Sequence, residues 1–118
     1  MRPHIEMAPL DLDSGWLPLS GFDGLEARVL ADDLDEGSRS GARSRLVRFS
    51  PGARTHGVLS HAYWEEVFII SGDLYAIPKG EPGACAAPAY AVRPPGTAHG
   101  PFASRGGCTL LEVQYFLK

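Results

Sequence analysis

Glycine and proline break this chain into short pieces, 14 Gly and 10 Pro in 118 residues, and no piece between them carries a helical hydrophobic period. The pieces read instead as strands. Leu25, Ala27 and Val29 alternate with Glu26, Arg28 and Leu30, as in a half-buried strand, before the acidic loop from Asp32 to Gly41. A second strand, Ser44 to Phe49, halts at the turn pair Pro51-Gly52. The β-branched and aromatic run from Glu66 to Ile70 passes through Ser71-Gly72-Asp73 into Leu74 to Ile77, a pattern that predicts a β-hairpin. Residues 79 to 88 form a Gly/Pro/Ala loop, Tyr90 to Arg93 a short strand ending at Pro94-Pro95-Gly96, and Cys108 to Phe116 a closing strand after Arg105-Gly106-Gly107. Short strands between tight turns, with no helices alternating among them, predict an all-β barrel or jelly roll rather than a parallel α/β sheet.

The length admits one domain, and 44% hydrophobic residues suffice for a core. Residues 1 to 20, rich in Pro and Asp, are expected to form an N-terminal arm or an extra edge strand docked through Trp16, and residues 21 to 118 the barrel. A formal charge of -3 lacks the basic excess that phosphate neutralisation requires, which argues against nucleic acid as a partner. No apolar run approaches the roughly 20 residues of a membrane span, and no apolar leader follows Met1. A cytoplasmic protein with no membrane partner is therefore expected, with Cys85 and Cys108 as reduced packing residues. Small barrels relieve unpaired edges by association, so a homodimer is expected too.

Two spaced groups of residues carry the chemistry. Pro51-Gly52, His56, His61, Glu65 and Gly72 are followed by Pro94-Pro95-Gly96-Thr97-Ala98-His99. Together they resemble the two motifs of the cupin superfamily, and the resemblance spans about residues 44 to 116. It implies a double-stranded β-helix, the cupin jelly-roll barrel, as a single domain. His61, Glu65 and His99 fall on positions that hold one divalent metal ion in that family. The first histidine of the family motif is replaced by Leu59. His56 fills that role where a bulge swings its imidazole inward; otherwise water or substrate completes the shell. The segments His61 to Val67 and Arg93 to Phe102 are similar to the cupin-like domain of zinc anti-sigma factors and to cupin dioxygenases that cleave small carbonyl compounds.

The spacing makes physical sense on its own. His61 and Glu65 are an even number of positions apart, so an extended or gently bulged strand turns both to one face, while Glu66 turns to the other. Two imidazoles and a carboxylate suit Fe2+, and with a fourth ligand suit Zn2+, Mn2+ or Ni2+. A buried carboxylate without a partner is costly, and a cation removes that cost. Candidates for contact with a small-molecule ligand are Arg48, whose planar fork matches a carboxylate, the aromatic pair Tyr63 and Trp64, and Gln114. On the last strand Glu112 and Gln114 share one face and Leu111, Val113 and Tyr115 the other; one set must face the interior. The resemblance implies a metal-binding protein with a small-molecule pocket, an oxidoreductase of dioxygenase type acting on a small carbonyl or aromatic compound. The alternative is a non-enzymatic sensor or binding protein with a closed zinc shell.

Overall fold

The computed structural model describes residues 1–77 and 85–117, and among them there are eight strands and no helix. In chain order these are β1 (Leu17–Pro18), β2 (Leu25–Asp32), β3 (Ala42–Phe49), β4 (Trp64–Ala76), β5 (Cys85–Ala86), β6 (Ala89–Arg93), β7 (Phe102–Ala103) and β8 (Cys108–Tyr115). All pairings are antiparallel. The ladder runs β1-β2-β3-β8-β4, and the long β4 pairs with β6 and β8 along its first part and with β5 and β7 along its second. The sheet thus curls on itself as an all-β jelly roll.

Register and the two-residue period together place the side chains in layers across the inner face. The outermost layer is Arg93, Glu65, Gln114 and Arg43, contributed by β6, β4, β8 and β3 in turn. One step inward lie Val67, Glu112 and Arg45, and below them Ile69, Leu110, Val47 and Ala27. Phe49, Cys108 and Leu25 close the bottom. The lower layers form one buried apolar cluster completed by Ala53 and Leu74. The barrel is therefore apolar at depth and charged near its mouth.

Several local expectations need correction. No hairpin reverses the chain at Ser71-Gly72-Asp73: β4 continues through to Ala76, with a bulge between Ile69 and Ser71. Gly72 has φ of +86°, and a Cβ there would overlap the Gly107 carbonyl oxygen, so the glycine bends the strand toward new partners instead of turning it back. Asp73 then accepts hydrogen bonds from the backbone N–H groups of Arg105 (3.1 Å) and Gly106 (2.9 Å), fastening the turn that precedes β8. Val29 is exposed because a bulge between Val29 and Ala31 breaks the alternation of β2. Cys85 is exposed on β5, so only Cys108 packs in the core. The loop read over residues 79–88 lies largely outside the described residues, its last part holding β5. No described helix is long and apolar enough to cross a membrane.

Trp16 precedes β1, donates from Nε1 to the Leu12 carbonyl at 2.7 Å, and lies under the Arg48 guanidinium, whose Cζ is 4.1 Å from its ring centroid. That contact lies on the outer side of the barrel, and β1 adds to the free edge of β2 through Leu17↔Ala27.

Candidate metal centre

Four strands deliver a continuous hydrogen-bonded rail of side chains across the mouth. Arg93 Nη1 donates to Glu65 Oε1 at 2.9 Å, and Gln114 Nε2 donates to Glu65 Oε2 at 2.7 Å. Arg43 donates to Gln114 Oε1 through Nε at 2.7 Å and also through Nη2. Gln114 is 1% exposed and Glu65 4% exposed. The buried carboxylate is held by two donors, one on each oxygen, which fixes its plane toward the interior.

Two histidines meet that carboxylate from outside the regular strands. One donor nitrogen from each of His61 and His99 and one oxygen of Glu65 all lie within 4.8 Å of one another. His99 Nε2 stands 3.7 Å from Glu65 Oε1, and the two imidazole centroids are 5.0 Å apart. Two atoms each about 2.1 Å from one ion in tetrahedral geometry are about 3.4 Å apart, so small side-chain rotations bring all three to one cation. The His99 Nδ1 faces the Thr97 carbonyl at 3.2 Å; a carbonyl only accepts, so Nδ1 carries the proton and Nε2 keeps its lone pair for a cation.

Local sequence explains the convergence. Gly96, at φ of +82°, turns the Pro94-Pro95-Gly96 segment so that its N–H donates to the His61 carbonyl at 2.8 Å. Leu59 and His99 exchange both backbone hydrogen bonds, Leu59 N to His99 O at 2.8 Å and the reverse at 2.9 Å. The two motif segments are thus tied by main chain, and their side chains face one cavity. Tyr63 stacks on His61 at 4.7 Å between centroids, with planes 8° apart.

His56 does not join the cluster. It is exposed in the loop after Pro51-Gly52 and lines a separate shallow hollow with Asp23, Pro51 and Arg54. The residue at the position of the family's first histidine, Leu59, lines the central cavity with an apolar side chain. Among the described residues the cluster therefore holds three protein donors. Arg48 and Trp64 also stand apart, because each is out of phase with the inward set: Arg48 pairs with Glu26 at 2.9 Å, and Trp64 stacks on Tyr115 on the outer face. Glu66 is likewise outward, accepting from the hydroxyls of Tyr90 and Tyr115 (2.8 Å for the latter).

The cavity is about 260 Å³, and Tyr63, Gln114 and the three cluster residues all line it. Sequence reasoning missed Arg45 and Arg93 on the same wall and left open which way Glu112 faces; it too lines the cavity. Arg45 Nε donates to Glu112 Oε1 at 2.7 Å, with side chains 17% and 16% exposed. The missed signal was parity, since positions 43, 45, 47 and 49 share a face and Val47 and Phe49 belong in the core. The polar pair Glu112 and Gln114 therefore takes the interior, and Leu111, Val113 and Tyr115 the outside.

Burial governs the ionisation of these groups. Desolvation holds His61 below its ordinary value of 6.5, against the pull of the Glu65 carboxylate, which keeps the imidazole neutral and able to ligate near neutral pH. Burial pushes the Tyr63 phenol up to about 12. The Glu112 carboxyl is raised, chiefly by burial, with the Arg45 guanidinium opposing the rise.

Neither a family model nor a curated protein matches the sequence, so likeness to known proteins rests on structure. An RmlC-like cupin from Shewanella frigidimarina is similar at 16% identity and a TM-score of 0.70, over 97% of this chain and 94% of that one. An acetylacetone dioxygenase from Acinetobacter johnsonii is similar at 16% identity and 0.70, over 98% and 80%. The complex of Rhodobacter sphaeroides SigE with the anti-sigma ChrR contributes a match at 20% identity and 0.63, over 87% of this chain but 50% of the matched one. The fold is the cupin fold.

Proposed function

We propose that this cupin-fold chain holds one divalent metal ion on His61, Glu65 and His99 and acts on a small carbonyl or aromatic compound in the adjoining cavity, as a metal-dependent oxidoreductase of dioxygenase type. The observation that carries it is the cluster itself: three donor atoms within 4.8 Å at the wall of a cavity, with Leu59 where a further imidazole would close the shell. Two imidazoles and one carboxylate leave coordination positions open, and an ion bound there supplies Lewis acidity and, as iron, oxygen chemistry.

The chain's own residues have separable tasks. Gln114 and Arg93 orient Glu65, and the Thr97 carbonyl orients His99. Tyr63 braces His61 and stays protonated across the working pH range. Phe49, Leu74 and Leu110 keep water from the inner wall. Glu112 accepts from Arg45 Nε at 2.7 Å and so fixes that guanidinium at the cavity wall.

The likeness to an acetylacetone dioxygenase supports a small diketone as the first substrate to try. A non-enzymatic sensor with a closed zinc shell needs a fourth protein ligand, and His56 is exposed on another surface. The test is oxygen uptake by iron-loaded protein supplied with acetylacetone. Uptake that disappears in His99→Ala supports the enzyme; stoichiometric zinc that resists exchange, with no uptake on diketones, supports the sensor.

A further inference from the structure

Three guanidinium groups, Arg43, Arg45 and Arg93, belong to the two upper layers of the inner wall, and two carboxylates, Glu65 and Glu112, answer them. The cavity itself is lined by Arg45 and Arg93 and by Glu65 and Glu112, two charges of each sign, with Arg43 held on Gln114, so a preference for an anion rests on donors left free rather than on net charge. Arg45 is the guanidinium nearest the apolar depth: it sits in register with Glu112, one inward step above the layer of Val47 and Leu110. Among the described residues its only side-chain hydrogen bond is the one from Nε to Glu112, so its two Nη groups have no protein acceptor, yet its side chain is only 17% exposed and lines the cavity. A guanidinium with its outer edge free in a mostly apolar hollow seeks a planar anion.

We propose that the cavity takes a small organic monocarboxylate, its acid group on the free edge of Arg45 and its hydrocarbon body among Leu25, Val47, Phe49, Leu74 and Leu110. The proposal deepens the assignment of this cavity as a ligand site and rests on it, but not on the metal. The acid end then lies on the side of His61, Glu65 and His99, and the body lies away from them. At about 260 Å³ the cavity falls just under the usual range of about 300–1,000 Å³, which limits the body to a short chain or a single ring. Arg48, the arginine whose sequence position first pointed to a carboxylate clamp, is excluded because it is out of phase and capped by Trp16 and Glu26. A neutral isostere offers no charge to the free edge of Arg45 and is bound less well.

The test is calorimetric titration of chelator-treated, metal-free protein with phenylacetate and with phenylacetamide. The acid is expected to bind on the order of tenfold or more tightly than the amide, the scale of one charge-assisted hydrogen bond. Arg45→Met paired with Glu112→Gln removes both charges together, so no buried carboxylate is stranded, and is expected to abolish the preference. Arg45→Lys, which keeps charge and loses the fork, guards against misfolding of the double variant and is expected to bind the acid more weakly than the unaltered protein. Equal affinities for acid and amide, no binding of the acid, or a preference undiminished in both variants overturns the proposal. Because these titrations contain no metal, failure of the cluster to take up an ion leaves their outcome standing, and the reverse holds as well.

Discussion

Replacing Gln114 by Leu separates orientation of the carboxylate from ligation. The amide is 1% exposed and donates to Glu65 Oε2 at 2.7 Å, while its oxygen accepts twice from Arg43. Leu fills a similar volume but leaves a carboxylate oxygen without a donor in a side chain only 5% exposed. A hydrogen bond to a charged group contributes about 1.5–3 kcal/mol, and the unmet oxygen carries most of that loss because half-buried Arg43 can turn toward water. The expected loss in the metal-free protein is about 2 kcal/mol by urea denaturation with chelator present. Gln114→Glu is expected to be worse near neutral pH, since it sets two carboxylates side by side, and to recover as the pH falls and one of them takes a proton. Both variants should also bind metal about 10–100-fold more weakly, the usual effect of removing a partner that orients a ligand. A Gln114→Leu loss below about 0.5 kcal/mol, the range of ordinary surface changes, refutes the claim that the rail holds Glu65 in place.

Gly72→Ala is expected to cost more than about 2 kcal/mol by the same denaturation assay: about 1–2 from the left-handed backbone and the rest from overlap of its Cβ with the Gly107 carbonyl. For pH, His61 has a folded value below its ordinary 6.5, so the unfolded chain binds its proton more readily; metal-free stability should rise with pH from that lowered value up to 6.5, and His61→Gln should flatten that rise. For the expected homodimer, sedimentation equilibrium at micromolar concentration should give twice the 12.7 kDa chain mass. The outer face carries Phe68, Ile70, Tyr90 and Val92, all more than 40% exposed, so Phe68→Lys should lower that mass toward one chain, and a single-chain mass for the unaltered protein contradicts the dimer.

How much was legible from sequence depended on how cleanly each residue's neighbours alternate. His61, Glu65 and His99 stood out because their spacing survives any small error in strand ends. Gly72 was visible as a special position, but a glycine beside Asp reads equally as a hairpin turn or as a bulge, and only the facing Gly107 backbone decides between them. Arg45 was obscured, and the direction of Glu112 left open, because apolar residues stand on both faces of their strands. Leu46 beside Val47, and Leu111 beside Leu110, blur the two-residue period, and an interior ladder of charges contradicts the usual rule of polar side outward. Arg48 drew attention for its chemistry while lying on the wrong parity. The contact of Arg93 with Glu65 depends on the β4–β6 register, which no local pattern reveals.

The most direct measurement is elemental analysis of the protein purified without a chelating column, alongside His99→Ala and Glu65→Gln of verified fold. One divalent ion per chain, lost in both variants, is the predicted result. Absence of any stoichiometric ion after exposure to Fe2+ and Zn2+, or full occupancy retained when either ligand is removed, contradicts it.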